Sequence, residues 1–586
     1  MKYKIVGTND YSNPLKTFLQ NRGINNIEMY THLNDTCLCS PYDLDNIERA
    51  VQTYLNAIEN NKTISILTDS DCDGFCSASM IYSYTKNLNP ECKLTYLLHT
   101  GKGHGLTEEI EIPEDTQLLI IPDAGTNDTA RCKALKEKGI DIIILDHHEQ
   151  EVENPYAVIV NNQCSNNYKN KALCGAGIVY KFLQAVDEEC WNDCADDYLD
   201  LVALANISDN MDIREPETKY LILKGLEFIT NAFFEKMLEG QSYYFPDGTT
   251  IIGVQFYITP LINALIRIGS QEEKDILFRA FIGDESETFD YKKRGEKEFT
   301  QESIYERATR ICKNAKQRQG RIVDKQLPLI YNHIKNAKQD KHEVIITNVT
   351  DYIESTLTGV VAIKIASAFH KPCILLREGK DNTYNGSVRV PERNPITNFK
   401  DILNTKTFIS EQGHASACGA TVHKTNIKES LNLLDNYIKN NGLSGIADTP
   451  IDFVIDYEDL NVGIYRDIAN LKPYYGKGLE ECNMLVINIP VVPKDTLVRG
   501  TDSNTWCTKI CDEGIELIKF RCNENDEILD CAREVKKLID SEELIPQQFN
   551  EPVIINVIGK FSYSYFKGIK TAQIIIEDYE VTYEDD

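Results

Sequence analysis

The stretch "LTDSDCDGF", residues 67–75, sets carboxylates at Asp69, Asp71 and Asp73 and places a glycine directly behind them. Three like charges at such short range repel strongly and do not stay ionised together without cations. The run therefore reads as a divalent-cation site. Its flanks decide the fold: "TISIL" (63–67) is a short apolar strand, and "FCSASMIYSYTKNL" (75–88) reads as a helix. The pattern D-x-D-x-D-G also opens an EF-hand calcium loop, but that loop needs a bidentate Glu at its twelfth position. Counting from Asp69, that position is Met80, and a strand instead of a helix enters the loop. A calcium-sensing loop is excluded. Gly74 is expected to let the chain turn from strand into helix while Asp71 and Asp73 stay aimed at the cations.

Outward from this loop, "LDNIERAVQTYLNAIEN" (44–60) has helical periodicity. "TQLLIIPDAGT" (116–126) reads as a strand ending in Asp123, and "IDIIILDHHEQ" (140–150) as a strand ending in Asp146, His147 and His148. "LVALANISDNMDI" (201–213) places Asp209 after another apolar run, read as one more strand-end partner. Continuous β-branched runs alternating with helices predict an α/β domain with a parallel sheet buried on both faces. The polar residues gather past the carboxyl ends of separate strands, where open α/β sheets bind ligands. Mixed carboxylate and imidazole ligands suit manganese, magnesium or iron better than a structural zinc. More acidic ligands than one ion needs point to a two-metal site about 3.5–4 Å across, suited to metal-dependent phosphoester hydrolysis.

A chain of 586 residues is too long for one core. The expected domains are an α/β catalytic domain at 1–275, a basic connecting helix at 276–340, a second α/β unit at 341–447, and a small C-terminal barrel at 448–586. The last rests on short β runs such as "IDFVIDY" and "TAQIIIEDYEV". No apolar run is read as reaching the roughly 18 residues of a membrane span, and "MKYKIVGTND" shows no signal-peptide pattern. Eighteen scattered cysteines with no C-x-x-C pair read as reduced thiols. The net charge of −28 argues against nucleic acid as a partner until its distribution is examined. Between Lys292 and Lys341, fourteen Lys/Arg oppose six Asp/Glu. That segment, including "YKKRGEKEF" (291–299) and "ERATRICKNAKQRQGR" (306–321), reads as helix, either plainly solvated or presenting a phosphate-facing stripe.

"DSDCDG" (69–74), "PDAG" (122–125), "DHH" (146–148) and "NISDNMD" (206–212) resemble, in order and spacing, the four motifs of the DHH phosphoesterase superfamily. Later segments narrow the resemblance to RecJ-type single-strand exonucleases. "STLTGVVAIKIA" (355–366), "NGSVRV" (385–390) and "EQGHASACG" (411–419) are similar to the DHH-associated substrate domain. "LKPYYGKGLEE" (471–481) and "VIGKFSYSYFKGIKTAQIIIEDYEV" (557–581) are similar to RecJ segments, the latter to its oligonucleotide-binding barrel. The resemblance runs from about residue 30 to the C-terminus and includes phage and prophage forms.

The resemblance implies that Asp71 binds a first metal, Asp73 a second, and that Asp123 bridges them. His147 and Asp209 would complete the shell of the second metal, and Asp69 would bind directly or through water. Asp146 would orient a histidine, as metal-bound imidazoles require, and His148 would face the scissile phosphate. Arg389, Ser387, Gly413 and His414 would hold substrate, as would Lys102 and His104 in "HTGKGHGL" (99–106). Phe561, Tyr563, Tyr565 and Phe566 are candidates for stacking bases. The chain departs from the family at Cys72, Gln412 and Leu479-Glu480, but none of these is a metal ligand, so an active enzyme is expected.

The implied activity is 5′→3′ hydrolysis of single-stranded DNA to mononucleotides in repair and recombination, using two Mn²⁺ or Mg²⁺ ions. The implied setting is a monomer in a bacterial or phage-host cytoplasm, with a helicase or single-strand-binding protein as candidate partner and no membrane. Three alternatives stand beside it. One is a DHH oligoribonuclease, nucleoside-bisphosphate phosphatase or cyclic-dinucleotide phosphodiesterase, another a type II inorganic pyrophosphatase, and the third a non-catalytic replication scaffold.

Overall fold

Three apolar runs, "ISILT", "LLIIP" and "DIIILD", are buried along almost their whole length, which only a sheet covered on both faces allows. The computed structural model describes residues 1–582 except 102, 294, 296, 297, 404–406, 501, 511–513, 524, 525, 567 and 568. The side chains of Ser410, Glu411, Gln412, His414 and Phe566 lie outside the description as well. The strands are β1 (Ile64–Thr68), β2 (Leu94–Leu98), β3 (Leu118–Pro122), β4 (Asp141–Asp146) and β5 (Val158–Asn161). They pair wholly in parallel in the order β2-β1-β3-β4-β5. The order switches between β1 and β3, and a doubly wound sheet opens its ligand crevice at that switch, outside the carboxyl ends.

The helices that matter to the site are α1 (Cys72–Leu88), α2 (Gly175–Cys190), α3 (Leu199–Ser208), α4 (Ile251–Tyr257), α5 (Thr259–Ile268), α6 (Ile304–Asn336) and α7 (Thr358–Phe369). Asp71 caps α1 by accepting from the Gly74 N–H at 3.0 Å, so one metal-ligand candidate also satisfies an orphan donor of the helix. Ser303 and Glu306 form a reciprocal capping box that starts the 33-residue α6.

Two sequence readings change here, one in the connecting region and one just before it. The described residues of "YKKRGEKEF" are not helical: Phe289–Tyr291 pairs antiparallel with Thr300–Glu302, and the helix begins only at Ile304. One stretch, Ile251–Ile268, is after all long and apolar enough to cross a bilayer by length and composition. Here it is split into α4 and α5 by a new helix start at Thr259-Pro260, and half of it is buried against the rest of the chain.

A second sheet has the order β9-β10-β8-β7-β6, from β6 (Ile345–Asn348), β7 (Cys373–Glu378), β8 (Thr383–Arg389), β9 (Phe408–His414) and β10 (Ala417–His423). Only β6 and β7 run parallel. Val323, Leu327, Ile330 and Ile334 of α6 share a core with Ile345, Leu375, Val361 and Ile365, so the long helix is built into this sheet. The two sheets and α6 belong to one compact unit, Asn34–Ala447.

The other unit is Met1–Leu33 together with Asp448–Asp586. The first 33 residues therefore do not join the expected 1–275 domain. Tyr3–Ile5 pairs in parallel with Thr449–Ile451, and Arg22 meets the buried Asp452 at 2.7 Å. The expected barrel is also revised. Its strands form a seven-stranded mixed sheet in the order Phe453–Asp456, Met484–Val491, Val553–Phe566, Ile569–Val581, Glu516–Lys519, Thr505–Lys509, Leu497–Arg499. Among the described residues no pairing of the first strand with the last closes it.

Candidate metal centre

The carboxyl ends of β1, β3 and β4 and the segments that leave them meet at the switch point and carry Asp69, Asp71, Asp73 (in the first turn of α1), Asp123, Asp146 (the last residue of β4), His147 and His148. Asp209 arrives differently from the sequence reading: it caps the C-terminus of helix α3 instead of ending a strand. The His147 Nε2 stands at the centre, 3.2 Å from Asp123 Oδ1, 3.6 Å from Asp209 Oδ2 and 3.9 Å from Asp73 Oδ2. Three groupings bring ligand atoms within 4.8 Å of one another: Asp73–His147–Asp209, Asp69–Asp71–Asp123 and Asp123–His147–His148. Asp123 belongs to two of these, and its backbone is left-handed, with φ +65°. Such strain in a non-glycine residue persists only where the surroundings over-determine it.

Asp73 is fixed by its neighbours. The backbone N–H groups of Gly175 and Ala176, at the start of α2, donate to its two oxygens at 2.8 Å, and Ser77 Oγ donates at 3.2 Å. A helix N-terminus is a natural seat for a carboxylate. Gly74 has a different role from the expected turn. Its φ is not left-handed, and a Cβ there would lie 2.6 Å from Asp69 Cβ, so the glycine is required by close approach.

The carboxylates divide into two classes by charge. Burial, and then the neighbouring charge of Asp71, push Asp73 up to about 6. Burial and Asp73 push Asp123 and Asp209 well above the usual range, and burial with Asp69 raises Asp71. Asp123 Oδ1 and Asp209 Oδ2 are buried and accept no hydrogen bond. Burial and mutual repulsion thus work against these four carrying their charges together.

Asp69 and Asp146 are already partnered. Asp69 accepts from Gly105 N–H at 3.0 Å and pairs with His104 Nδ1 at 2.9 Å. Burial opposes its ionisation, but the charge and hydrogen bond of His104 outweigh burial and hold it below the usual range. Asp69 in turn raises His104 to about 10. Asp146 accepts from Thr126 Oγ1 at 2.6 Å and binds His148 Nδ1 at 2.8 Å. Burial again opposes, and the His148 hydrogen bond and charge keep Asp146 ionised. The His104 and His148 rings pack edge to face, centroids 4.8 Å apart. The histidine that Asp146 orients is thus His148. Asp212, the last residue of "NISDNMD", is turned away to Arg214, with which it pairs.

The second sheet gathers hydroxyl groups and a guanidinium at one corner. Ser387 Oγ and Thr358 Oγ1 lie 2.7 Å apart at the N-terminus of α7, and the Arg389 guanidinium lies over Gly359. Arg389 on β8 pairs with Ala417 on β10, which pairs with His414 on β9, so the backbone sets these positions in one row. Gly413 precedes His414 in that hairpin with φ +118°. The His414 side chain and Lys102 lie outside the described residues.

Sequence reasoning missed Arg267, at the end of α5. It is close enough to Asp71 and to Arg389 for both charges to act on it or through it: burial lowers Arg267 and Asp71 opposes that, while burial and Arg267 lower Arg389. Neither arginine forms an ion pair with a carboxylate among the described residues. Lys316 of α6 faces the same place, lowered by burial and by Arg267 and Lys364. Other cations of the basic helix are neutralised, Arg310 by Glu302 and Arg318 by Glu273. The charge of Arg267 thus acts on both Asp71 of the acidic centre and Arg389 of the second sheet. The signal for it was "PLINALIRIG", a lone arginine in an apolar helix.

Comparison with known proteins agrees with this geometry. The model for the DHH family, N-terminal domain, matches residues 63–206. The chain is 34% identical over 587 residues to a Bacillus subtilis (strain 168) protein that carries the name SPbeta prophage-derived single-strand DNA-specific exonuclease YorK, covering 99% of this chain and 98% of that one. It is 24% identical to the single-stranded-DNA-specific exonuclease RecJ of the same organism, over 97% of this chain and 68% of RecJ. The crystal structure of RecJ in complex with Mn²⁺ from Thermus thermophilus shares the fold, with a TM-score of 0.71 at 16% identity over 99% of this chain and 78% of that one. Motif order, site geometry and whole-length similarity lead to one assignment: the chain belongs to the RecJ-type single-strand-specific exonucleases of the DHH phosphoesterase superfamily.

Proposed function

We propose that this protein removes mononucleotides from single-stranded DNA in the 5′→3′ direction by a two-metal mechanism, in DNA repair or recombination. The observation that carries the reading is the set of buried, mutually repelling carboxylates: Asp73, Asp123 and Asp209 around His147 Nε2, and Asp71 grouped with Asp123, with Arg267 acting on both Asp71 and Arg389. Asp71 and Asp123 would hold one Mn²⁺ or Mg²⁺, and Asp73, His147 and Asp209 the other, with Asp123 facing both. Such ions supply a nucleophile from water at neutral pH and neutralise charge on the phosphoryl oxygens. Asp69 serves on this reading to hold His104 and not to bind metal.

The chain's own residues do the rest. His148, fixed by Asp146, presents its free ring nitrogen to the scissile phosphate. Arg267 and Arg389 hold phosphates by planar forks, and Ser387 with the N-terminus of α7 receives a terminal phosphate. Gly413 and His414 would close over the end nucleotide, and Lys102 and His104 would contact the strand near the metals. The working parts on this reading are a catalytic segment to about 275, the connecting segment 276–340 and a substrate segment 341–447. The C-terminal unit would be a nucleic-acid-binding module. There Phe561 is core, stacked on Tyr465 at 4.8 Å, so stacking would fall to Tyr563, Tyr565 and Phe566, the side chain of the last lying outside the described residues. The protein would act as a monomer in a bacterial or phage-host cytoplasm, with a helicase or single-strand-binding protein delivering its strand.

The test is incubation with Mn²⁺ or Mg²⁺ and single-stranded DNA labelled at either end, beside duplex DNA and di- to pentanucleotide RNA. Mononucleotides released first from the 5′ end of single strands, and lost in Asp71→Ala, are expected. Preferential turnover of dinucleotides would give the case to the oligoribonuclease reading. No hydrolysis with either metal would favour a scaffold.

A further inference from the structure

Four aromatic residues stand exposed beside the metal centre, where a globular surface ordinarily hides them. Tyr243 is 79% exposed, Phe256 62%, Tyr244 43% and Tyr257 38%. The three tyrosines form one cluster: Tyr244 stacks on Tyr257 with ring centroids 3.8 Å apart and planes 11° from parallel, and Tyr243 meets Tyr244 edge-on at 5.3 Å; Phe256 is the neighbour of Tyr257 on α4. The segment that carries Tyr243 and Tyr244 is pinned to α4. A Cβ at Gly253 would lie 2.5 Å from Phe245 Cε1, so the Phe245 ring sits directly on the helix backbone there.

The helix that carries Phe256 and Tyr257 touches the acidic centre. Gln255, which precedes Phe256 on α4, donates to Asn210 Oδ1 at 2.5 Å, and Asn210 follows Asp209 directly. The next helix, α5, braces the other wall: Asn263 donates to Ser208 Oγ at 3.3 Å and accepts from the Cys72 N–H at 3.2 Å, beside Asp71. The platform and the metal-binding carboxylates are therefore held by one pair of helices. Its exposed surface is made of ring faces and phenol groups instead of aliphatic side chains. Flat rings next to a phosphodiesterase centre suit nucleobases, which every nucleotide offers regardless of sequence.

We propose that Tyr243, Phe256 and the Tyr244–Tyr257 stack form a base-stacking platform for the single strand, gripping nucleobases a few steps from the scissile phosphate. This deepens the proposed function and rests on it: the platform serves a strand that reaches the metal centre. It gives the enzyme a sequence-independent preference for strands over dinucleotides, because a dinucleotide ends before it reaches the rings.

The experiment scans one abasic position, nucleotide by nucleotide, along a single-stranded DNA substrate cleaved by the full-length protein with Mn²⁺. For the wild type, KM is expected to rise about fivefold or more at one or two positions, with kcat little changed. Tyr243→Ala and Phe256→Ala, at exposed positions, should raise KM for the intact strand and flatten the abasic profile. They should leave dinucleotide turnover as it was. Tyr243→Trp should restore the profile. A wild-type protein that cleaves single strands but gives a flat profile, or alanine variants whose profiles keep the wild-type peak, would overturn the platform while leaving the exonuclease reading intact. A wild-type protein that cleaves no single strand at all would instead overturn the function on which it rests.

Discussion

Asp73→Asn takes one negative charge from the buried cluster and keeps its shape. Without metal, burial and Asp71 hold the Asp73 carboxyl up at about 6, against an ordinary 3.8. At neutral pH that difference amounts to about 3 kcal/mol set against the charged form in the folded state. The folded protein holds this proton more tightly than the unfolded chain. Its contribution is therefore fully present below the ordinary carboxylate pKa and is lost as pH rises through about 6. Asparagine escapes that loss. Its amide nitrogen, however, opposes one of the two N–H groups, from Gly175 and Ala176, that donate to Asp73, at about 1–2 kcal/mol.

The metal-free variant should therefore be more stable than the wild type by about 1–2 kcal/mol near pH 7.5, and the advantage should vanish near pH 5. Divalent cations should reverse the order, because ligand binding to the folded state stabilises by mass action and the variant has lost a ligand oxygen's charge. Urea unfolding in EDTA and in Mn²⁺, at the two pH values, reads all four corners. A variant less stable than the wild type at neutral pH in EDTA would refute the charge-strain argument. Equal stabilisation of both proteins by Mn²⁺ would refute ligation by Asp73.

Asp146→Asn should cut activity about 10–100-fold by freeing the His148 ring, while Mn²⁺ affinity measured by calorimetry changes little. Arg267→Ala and Arg389→Ala should each raise KM for single-stranded DNA about tenfold and reduce the salt slope of binding by about one. Arg389→Lys should recover only part of the loss, since a point charge does not replace a planar fork, and fluorescence anisotropy across a salt series checks both statements.

The acidic centre was legible because its positions follow from strand chemistry. "LLIIP" and "IIILD" can be buried on both sides only in a parallel sheet, and such a sheet gathers the loops leaving its strands at one edge. Asp209 was placed correctly near the centre but on the wrong element. "LVALANI" is apolar all round, and a fully buried segment carries no period that separates helix from strand. The charge run "YKKRGEKEF" misled for a related reason: composition reports exposure, and the Phe289–Tyr291 pairing with Thr300–Glu302 depends on partners, not on charge. The C-terminal β runs announced strands but not whether the sheet closes, because closure is set by how the edge strands meet. The placement of residues 1–33 was invisible because it rests on three paired residues with Thr449–Ile451. Arg267 escaped notice because one cation in an apolar helix looks like any snorkelling arginine until Asp71 and Arg389 are seen beside it.

The most direct test of the central claim is the anomalous scattering of crystals grown with Mn²⁺. The account predicts two manganese peaks about 3.5–4 Å apart, one against Asp73, His147 and Asp209 and one against Asp71 and Asp123, with Asp69 and Asp146 still paired to their histidines. A single peak, or a pair seated on Asp69 with His104 displaced, would contradict it.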